Sequence, residues 1–161
     1  MRLLIAAVGK LKGGPERTLC DHYLSRAETF GRGLGLSPLN VVDCPESSAQ
    51  EAGSRREAEA VALLAKVPAE YGLICLDPGG KLLSSEAFAE VLRTRKDARS
   101  VSGLAFIIGG ADGLGQAVLD RAGLSLSLGA MTLPHGLARI VLAEQIYRAM
   151  TILAGHPYHR G

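Results

Sequence analysis

Residues 124–135 read Leu-Ser-Leu-Ser-Leu-Gly-Ala-Met-Thr-Leu-Pro-His, with leucine at every second position of the first five. That alternation has the two-residue period of a β-strand. The strand pattern gives way to small residues, then to Pro134 and His135. An apolar helical pattern with Arg139 near its start follows, over about 136–153. The segment therefore predicts a strand, a loop of small residues and a long final helix.

Two glycine-rich segments come earlier, each directly after a predicted strand: 76–81 reads LDPGGK and 107–115 reads IIGGADGLG. Ligands of open α/β sheets lie beyond the carboxyl ends of the strands, and glycine lets a ligand approach the backbone closely. Segment 76–81 is not a phosphate-binding P-loop, because Lys81 is followed by Leu82 and the preceding glycine spacing is absent. An ordinary glycine turn remains the alternative there. Segment 107–115 lacks the third small residue of a dinucleotide fingerprint, which weighs against a nicotinamide-binding domain.

Short apolar runs alternate with helical patterns along the whole chain. This alternation predicts an α/β fold, a mostly parallel sheet with helices on both faces. Helices are predicted at 16–30, at 55–66, from Ser84 or Ser85 onward, and at 136–153, with a glycine-rich connection at 31–38. The predicted strands are 2–8, 39–42, 72–76, 104–108 and 124–128.

Length and composition indicate one globular domain over residues 1–161, with 47% hydrophobic and 21% charged residues. Three cysteines without a C-x-x-C spacing predict neither a disulfide framework nor a zinc ribbon, and favour a cytoplasmic protein. The apolar run after Met1 is too short for a signal peptide, and we interpret it as a buried strand. No run is long enough for a membrane helix. A net charge of +2 predicts that any RNA contact is local.

The final helical pattern carries apolar residues over more than half of its circumference. Burial against both its own sheet and a second subunit would explain such breadth. A helix at the centre of a monomer is the alternative.

Several motifs together resemble the ribosomal large-subunit pseudouridine N3-methyltransferase family of the SPOUT class. The resemblance covers the first dozen residues and most of the chain from Leu73 onward, whereas about 13–69 carries no diagnostic motif. The motifs that carry it are VGKLK at 8–12, LDPGGK at 76–81, SSE at 84–86, 106–113, 124–135, EQIYRA at 144–149 and PYH at 157–159.

The resemblance implies a carboxyl-terminal trefoil knot that forms the pocket for S-adenosylmethionine, the methyl donor. Small residues and free backbone groups suit hydrogen bonds to the donor, and leucine and methionine suit its apolar faces. Leu128 and Leu133 would be ordinary core residues in the alternative reading. The implied donor-binding positions are Leu76, Gly109, Leu128, Gly129, Ala130, Met131, Thr132 and Leu133.

The implied reaction is methylation of N3 of a pseudouridine in helix 69 of 23S ribosomal RNA, within the assembled ribosome. The N3 proton must leave, and histidine can accept a proton near neutral pH. The residues predicted to act on the RNA side are His135, Arg139, Tyr158 and His159, with Arg148 and Arg160 as weaker phosphate contacts.

The same resemblance implies a homodimer. We predict that its site is shared between the subunits, because a short chain with net charge +2 offers little other surface for RNA. Neither a DNA nor a membrane partner is expected. No metal is expected, because His156 and His159 lack a matching acidic or cysteine set. A solvated tail is the alternative for this terminus. Two other functions stay open: a noncatalytic nucleotide- or ribosome-binding module, and a nicotinamide oxidoreductase.

Overall fold

The structure is a computed structural model that describes residues 1–160, with only the backbone of Arg160. Within these residues, five parallel strands form one sheet in the order β2-β1-β4-β3-β5. The predicted parallel sheet is thus confirmed, and each strand lies where the sequence pattern placed it. The strands are β1 (Arg2–Val8), β2 (Leu39–Cys44), β3 (Tyr71–Leu82), β4 (Gly103–Ile108) and β5 (Leu124–Ser127).

Helices cover both faces of the sheet, as predicted. One face packs against α1 (Pro15–Leu34), α3 (Ser85–Ala98) and α5 (His135–Leu153). The other packs against α2 (Ala52–Ala65) and α4 (Gln116–Arg121). A short 3-10 helix, η1 (Pro157–Arg160), packs back on α5.

The central strands are apolar on both sides because both sides are covered. In β1, Leu3 and Ile5 point to the α1, α3 and α5 layer, whereas Leu4 and Ala6 point to the α2 and α4 layer. Every residue of β4 is buried. Parallel strands buried on both faces have continuous apolar runs, and β4 and the part of β1 from Leu3 onward show this pattern.

β3 is longer than predicted, because the segment predicted as a loop at 76–81 lies within the strand. Leu76 and Lys81 both pair with Leu126 of β5, so residues 77–80 bulge out between them. A Cβ on Gly80 would lie 2.7 Å from backbone atoms of Ser125 and Leu126. The glycine at this position is therefore required by the close passage of β5.

The helices also differ from the prediction, at the end of α1 and by the presence of α4. The proposed connection at 31–38 is wrong for its first four residues, since α1 continues to Leu34 and buries Gly31 against Leu36 and Met150. The six-residue α4 was not predicted, because it is short and buries only Val118. The start of α3 is confirmed: Ser84 Oγ accepts a hydrogen bond from Ala87 N at 3.1 Å.

α5 lies at the centre of its layer, between α1 and α3. Its apolar side chains over most of the circumference, including Leu142, Ile146 and Met150, are buried within one chain. The breadth of its apolar surface is thus explained without a second subunit. Among the residues described, no helix is long and apolar enough to cross a membrane.

Candidate functional site

Three predicted donor-binding segments meet at one edge of the sheet. Leu76 pairs with Leu126 in β5, and Cys75 pairs with Ile107 in β4, so β3 lies between the other two strands. Gly109 directly follows β4, and Leu128 directly follows β5. Parallel strands end at the same edge, and the fold therefore brings together residues that are far apart in the sequence.

The loop at 128–133 leaves β5 through a tight turn. Gly129 has a φ of 131°, and its backbone N–H donates to Ser127 Oγ at 3.3 Å. Leu128 and Leu133 are half-buried and belong to no core cluster among the residues described, which does not favour the interpretation that they are core residues. Met131 is 86% exposed, so no part of the described chain encloses its side chain.

A cavity of about 320 Å³ opens beside Leu128, between β5 and the facing parts of α3 and α5. Phe88 and Leu142 supply apolar walls. Ser85 Oγ donates to Gln145 Oε1 at 2.7 Å on the opposite side. Its volume is at the lower end of the range of small-molecule pockets, and its lining combines apolar walls with a few polar groups.

Gly109 lies beneath a glycine turn. Gly113 N donates to Gly110 O at 3.1 Å, and Gly113 has a φ of 86°. A Cβ on Gly109 would lie 2.8 Å from Gly113 O and 3.0 Å from a methyl carbon of Leu114. The turn leaves no room for a side chain at 109, so the packing of Gly113 against the strand end requires glycine there.

His135 and Arg139 lie at the start of α5, on the same edge of the sheet. The Arg139 side chain is 3% exposed: Nη1 lies 2.7 Å from Asp43 Oδ1, and Nη2 donates to Gly9 O at 2.7 Å. His135 is exposed, and its Nε2 would lie 3.2 Å from a Cβ on Gly9. The bond to Gly9 O holds the motif at 8–12 against the beginning of α5. The sequence did not predict that Asp43 of β2 would pair with Arg139.

Tyr158 and His159 lie in η1, against the middle of α5. Tyr158 OH donates to Glu144 Oε1 at 3.1 Å, and Arg148 binds the same carboxylate oxygen at 2.8 Å. The Tyr158 ring lies 4.5 Å from that of Tyr147. Burial, together with the nearby Glu144 charge, raises the pKa of Tyr158 to about 12. The alternative of a solvated tail is wrong for Tyr158 and His159; the Arg160 side chain lies outside the described residues.

His159 is oriented by the backbone. Its Nδ1 lies 2.6 Å from His156 O. Because a carbonyl only accepts, Nδ1 carries the proton of the neutral ring and Nε2 is left as an acceptor. Among residues 1–160, no group of three or more His, Cys, Asp or Glu side chains is placed to hold a metal ion.

The four residues predicted for the RNA side form two separate groups in one chain. Glu144, the anchor of Tyr158, lies nine residues after His135 along α5. At about 1.5 Å per residue this corresponds to roughly 14 Å. A single chain therefore places His135 and Arg139 at the sheet edge, and Tyr158 and His159 beside the middle of α5.

Comparison with known proteins shows, along nearly the whole chain, the SPOUT methyltransferase family that the sequence motifs resemble. The model of a family described as "Predicted SPOUT methyltransferase" matches residues 1–159. Ribosomal RNA large subunit methyltransferase H of Xanthobacter autotrophicus is 54% identical over 160 residues, covering 99% of each chain. The protein of the same name from Nitrobacter winogradskyi is 53% identical and covers 100% of both. A probable methyltransferase of Bordetella pertussis Tohama I, 16% identical, shares the fold with a TM-score of 0.50 over 92% of this chain and 95% of that one.

Proposed function

The chain belongs to the SPOUT methyltransferase family, and we propose from this that it transfers a methyl group from S-adenosylmethionine to N3 of a pseudouridine in helix 69 of large-subunit ribosomal RNA. The observation that carries this proposal is the 54% identity to a ribosomal RNA large subunit methyltransferase H along its full length. The noncatalytic module and the nicotinamide enzyme have no comparable support.

The residues at the sheet edge fit the donor. Leu76 lies within β3, where residues 77–80 bulge out, and Gly109 and Leu128 directly follow the neighbouring strands β4 and β5. When bound, S-adenosylmethionine supplies an electrophilic methyl group on a sulfonium. The chain contributes an apolar wall at Leu76 and Leu133, and backbone hydrogen-bonding groups at 129–132.

On the acceptor side, the chain must take the N3 proton and stabilise the negative charge that develops on the base. His159 suits the first task, since its Nδ1 is bound to His156 O and Nε2 is left to accept a proton. Tyr158 suits hydrogen-bond donation, because its raised pKa keeps the phenol protonated at neutral pH. Arg139 has its guanidinium engaged by Asp43 and Gly9, and its role is to hold the 8–12 segment beside His135.

We propose that the functional unit is a homodimer whose site is shared between subunits. One chain keeps His135 and the pair Tyr158 and His159 apart, so a second copy is the simplest way to bring a tail to a donor pocket. Three exposed apolar side chains at the carboxyl edge are available for such an interface: Leu82, Met131 and Leu137, with 71%, 86% and 42% exposure.

The decisive experiment incubates the purified protein and methyl-labelled donor with ribosomes that lack the modification, and then maps the labelled nucleotide. We expect one labelled pseudouridine, in helix 69. Label at another nucleotide would refute the proposed target, and donor binding without transfer would favour a noncatalytic module. Competition by a nicotinamide nucleotide for the donor pocket would favour an oxidoreductase.

A further inference from the structure

Helix α2 contacts the glycine segment that follows β4, although α2 lies in the part of the sequence without diagnostic motifs. Arg55 Nε lies 2.6 Å from Asp112 Oδ2, and Arg55 Nη2 lies 3.2 Å from Asp112 Oδ1. Arg55 Nη1 donates to Ala49 O at 3.0 Å and to Gln50 O at 2.6 Å. All three nitrogens of the guanidinium thus join the turn 110–113 to the segment preceding α2.

Three neighbouring residues of α2 hold the same segment. Glu57 Oε1 accepts from Gln116 N at 3.0 Å. A Cβ on Gly110 would lie 2.7 Å from Glu59 Oε2, and one on Gly115 would lie 2.7 Å from Arg56 O. The segment therefore contacts α2 at its beginning, middle and end, and Arg55 is the α2 residue that binds a side chain of the turn itself.

We propose that Arg55 and Asp112 are positioning residues for the methyl donor: they fix the turn 110–113 and, through its contact with Gly109, the backbone that would bind the donor. This inference rests on the proposed function and on Gly109 as part of the donor site. The two side chains are 30% and 26% exposed. Ion pairs near the surface add little to the free energy of unfolding. We therefore expect loss of this pair to change the position of the turn more than the stability of the fold.

The distances explain how a shift in the turn reaches the donor. Gly113 O is 2.8 Å from the Cβ position of Gly109, so the turn already lies against the strand end. Without Arg55, the turn loses its bidentate contact to α2 and can move relative to Gly109. The guanidinium also lowers the pKa of Asp112, which keeps the pair charged at neutral pH.

The test is a double-mutant cycle of Arg55→Met, Asp112→Asn and the combined variant. Calorimetry with S-adenosylhomocysteine should show a Kd raised about tenfold in each single variant, since misplacement of a binding group by a fraction of an ångström has effects of this order. The double variant should be no worse than either single variant. The KM for the donor should rise, whereas kcat at saturating donor and the melting temperature should stay close to wild type.

Arg93→Met is the matched control, because it breaks an arginine–glutamate pair on α3, with both side chains about half exposed, away from the donor edge. It should leave the Kd unchanged. An unchanged Kd in Arg55→Met and Asp112→Asn overturns the inference, as does a parallel loss of kcat and melting temperature. Asp112→Asn preserves side-chain size and serves alone if Arg55→Met does not fold. Donor binding by the wild-type protein is measured first. If the wild type does not bind the donor, the proposed function fails and the inference fails with it; if it binds, the variants test the inference alone.

Discussion

Gly109 concentrates two requirements at a single residue. The turn above the strand end needs the space that a side chain would take, and the proposed donor site uses the backbone at this position. We expect Gly109→Val to weaken binding of S-adenosylhomocysteine, because its Cβ would start 2.8 Å from Gly113 O and the turn would have to move. Calorimetry on the folded variant measures the change.

Gly33→Val is the control for Gly109→Val. Gly33 also lacks a side chain, but nothing lies within 4 Å of its Cβ position. Its affinity for the donor should match wild type. Undiminished affinity in Gly109→Val would remove Gly109 from the donor site.

Arg139 is a second residue whose effect depends on its burial. We expect Arg139→Ala to destabilise the fold by about 3 kcal/mol, because loss of one partner leaves Asp43 unpaired in a partly buried position. Urea unfolding measures this. His135→Ala, at an exposed position on the same helix, should change the free energy of unfolding by less than about 0.5 kcal/mol. Equal stability of the two variants would show that Arg139 has no such role.

At the scale of elements, η1 is attached to α5 through Tyr158. Its hydroxyl donates to Glu144, and its ring packs against that of Tyr147. Removal of residues 158–161 should lower methyl transfer to ribosomes much more than it lowers donor affinity. The reason is that the proposed donor segments lie in the bulge of β3 and directly after β4 and β5, whereas the removed residues contact α5. Parallel losses of transfer and donor affinity would show that the tail serves the donor pocket.

The same contact predicts a titration. Burial and Glu144 raise the pKa of Tyr158 to about 12, above the ordinary tyrosine value of about 10. A raised pKa means that this phenol stabilises the fold fully below about pH 10, and that its contribution is lost as the pH rises through about 12. Tyrosinate absorbance should show a late ionisation that is missing in Tyr158→Phe. Identical titration curves of the wild type and Tyr158→Phe above pH 10 would contradict the contact.

At the scale of the whole molecule, a net charge of +2 over these 161 residues gives only a weak overall attraction to a polyanion such as RNA. A homodimer would supply the missing surface. Light scattering at micromolar concentration should give twice the mass of the chain. Leu137→Asp should shift the protein to monomer, whereas Val61→Asp, on α2 and 67% exposed, should not. A wild-type monomer would contradict the dimer.

The shared site predicts complementation between inactive subunits. A His159→Ala subunit mixed with a Gly109→Val subunit forms heterodimers in which one site keeps an intact donor pocket and an intact tail. We expect these heterodimers to recover part of the methyl transfer to ribosomes. Verified heterodimers that stay inactive would mean that each site lies within one subunit.

The sequence by itself determined the strands, the sheet type and the family. β4, and β1 from Leu3 onward, are buried on both faces and therefore apolar, and local patterns record such burial directly. The motifs at 107–115 and 124–135 also marked the proposed donor edge, because they contain the ends of β4 and β5, and parallel strands end together. The motif at 76–81 lies within β3, beside those strand ends.

Only the tertiary structure decided which residues those motifs contact. Asp43 and Arg55 belong to no motif, and Glu144 belongs to the motif at 144–149 but was assigned no contact. Their partners, Arg139, Asp112 and Tyr158, lie on other elements of the fold. The glycine at position 80 likewise reflects the passage of β5. The breadth of α5 had suggested a second subunit, yet α1 and α3 cover it, because periodicity reports how much of a helix is buried and not what buries it.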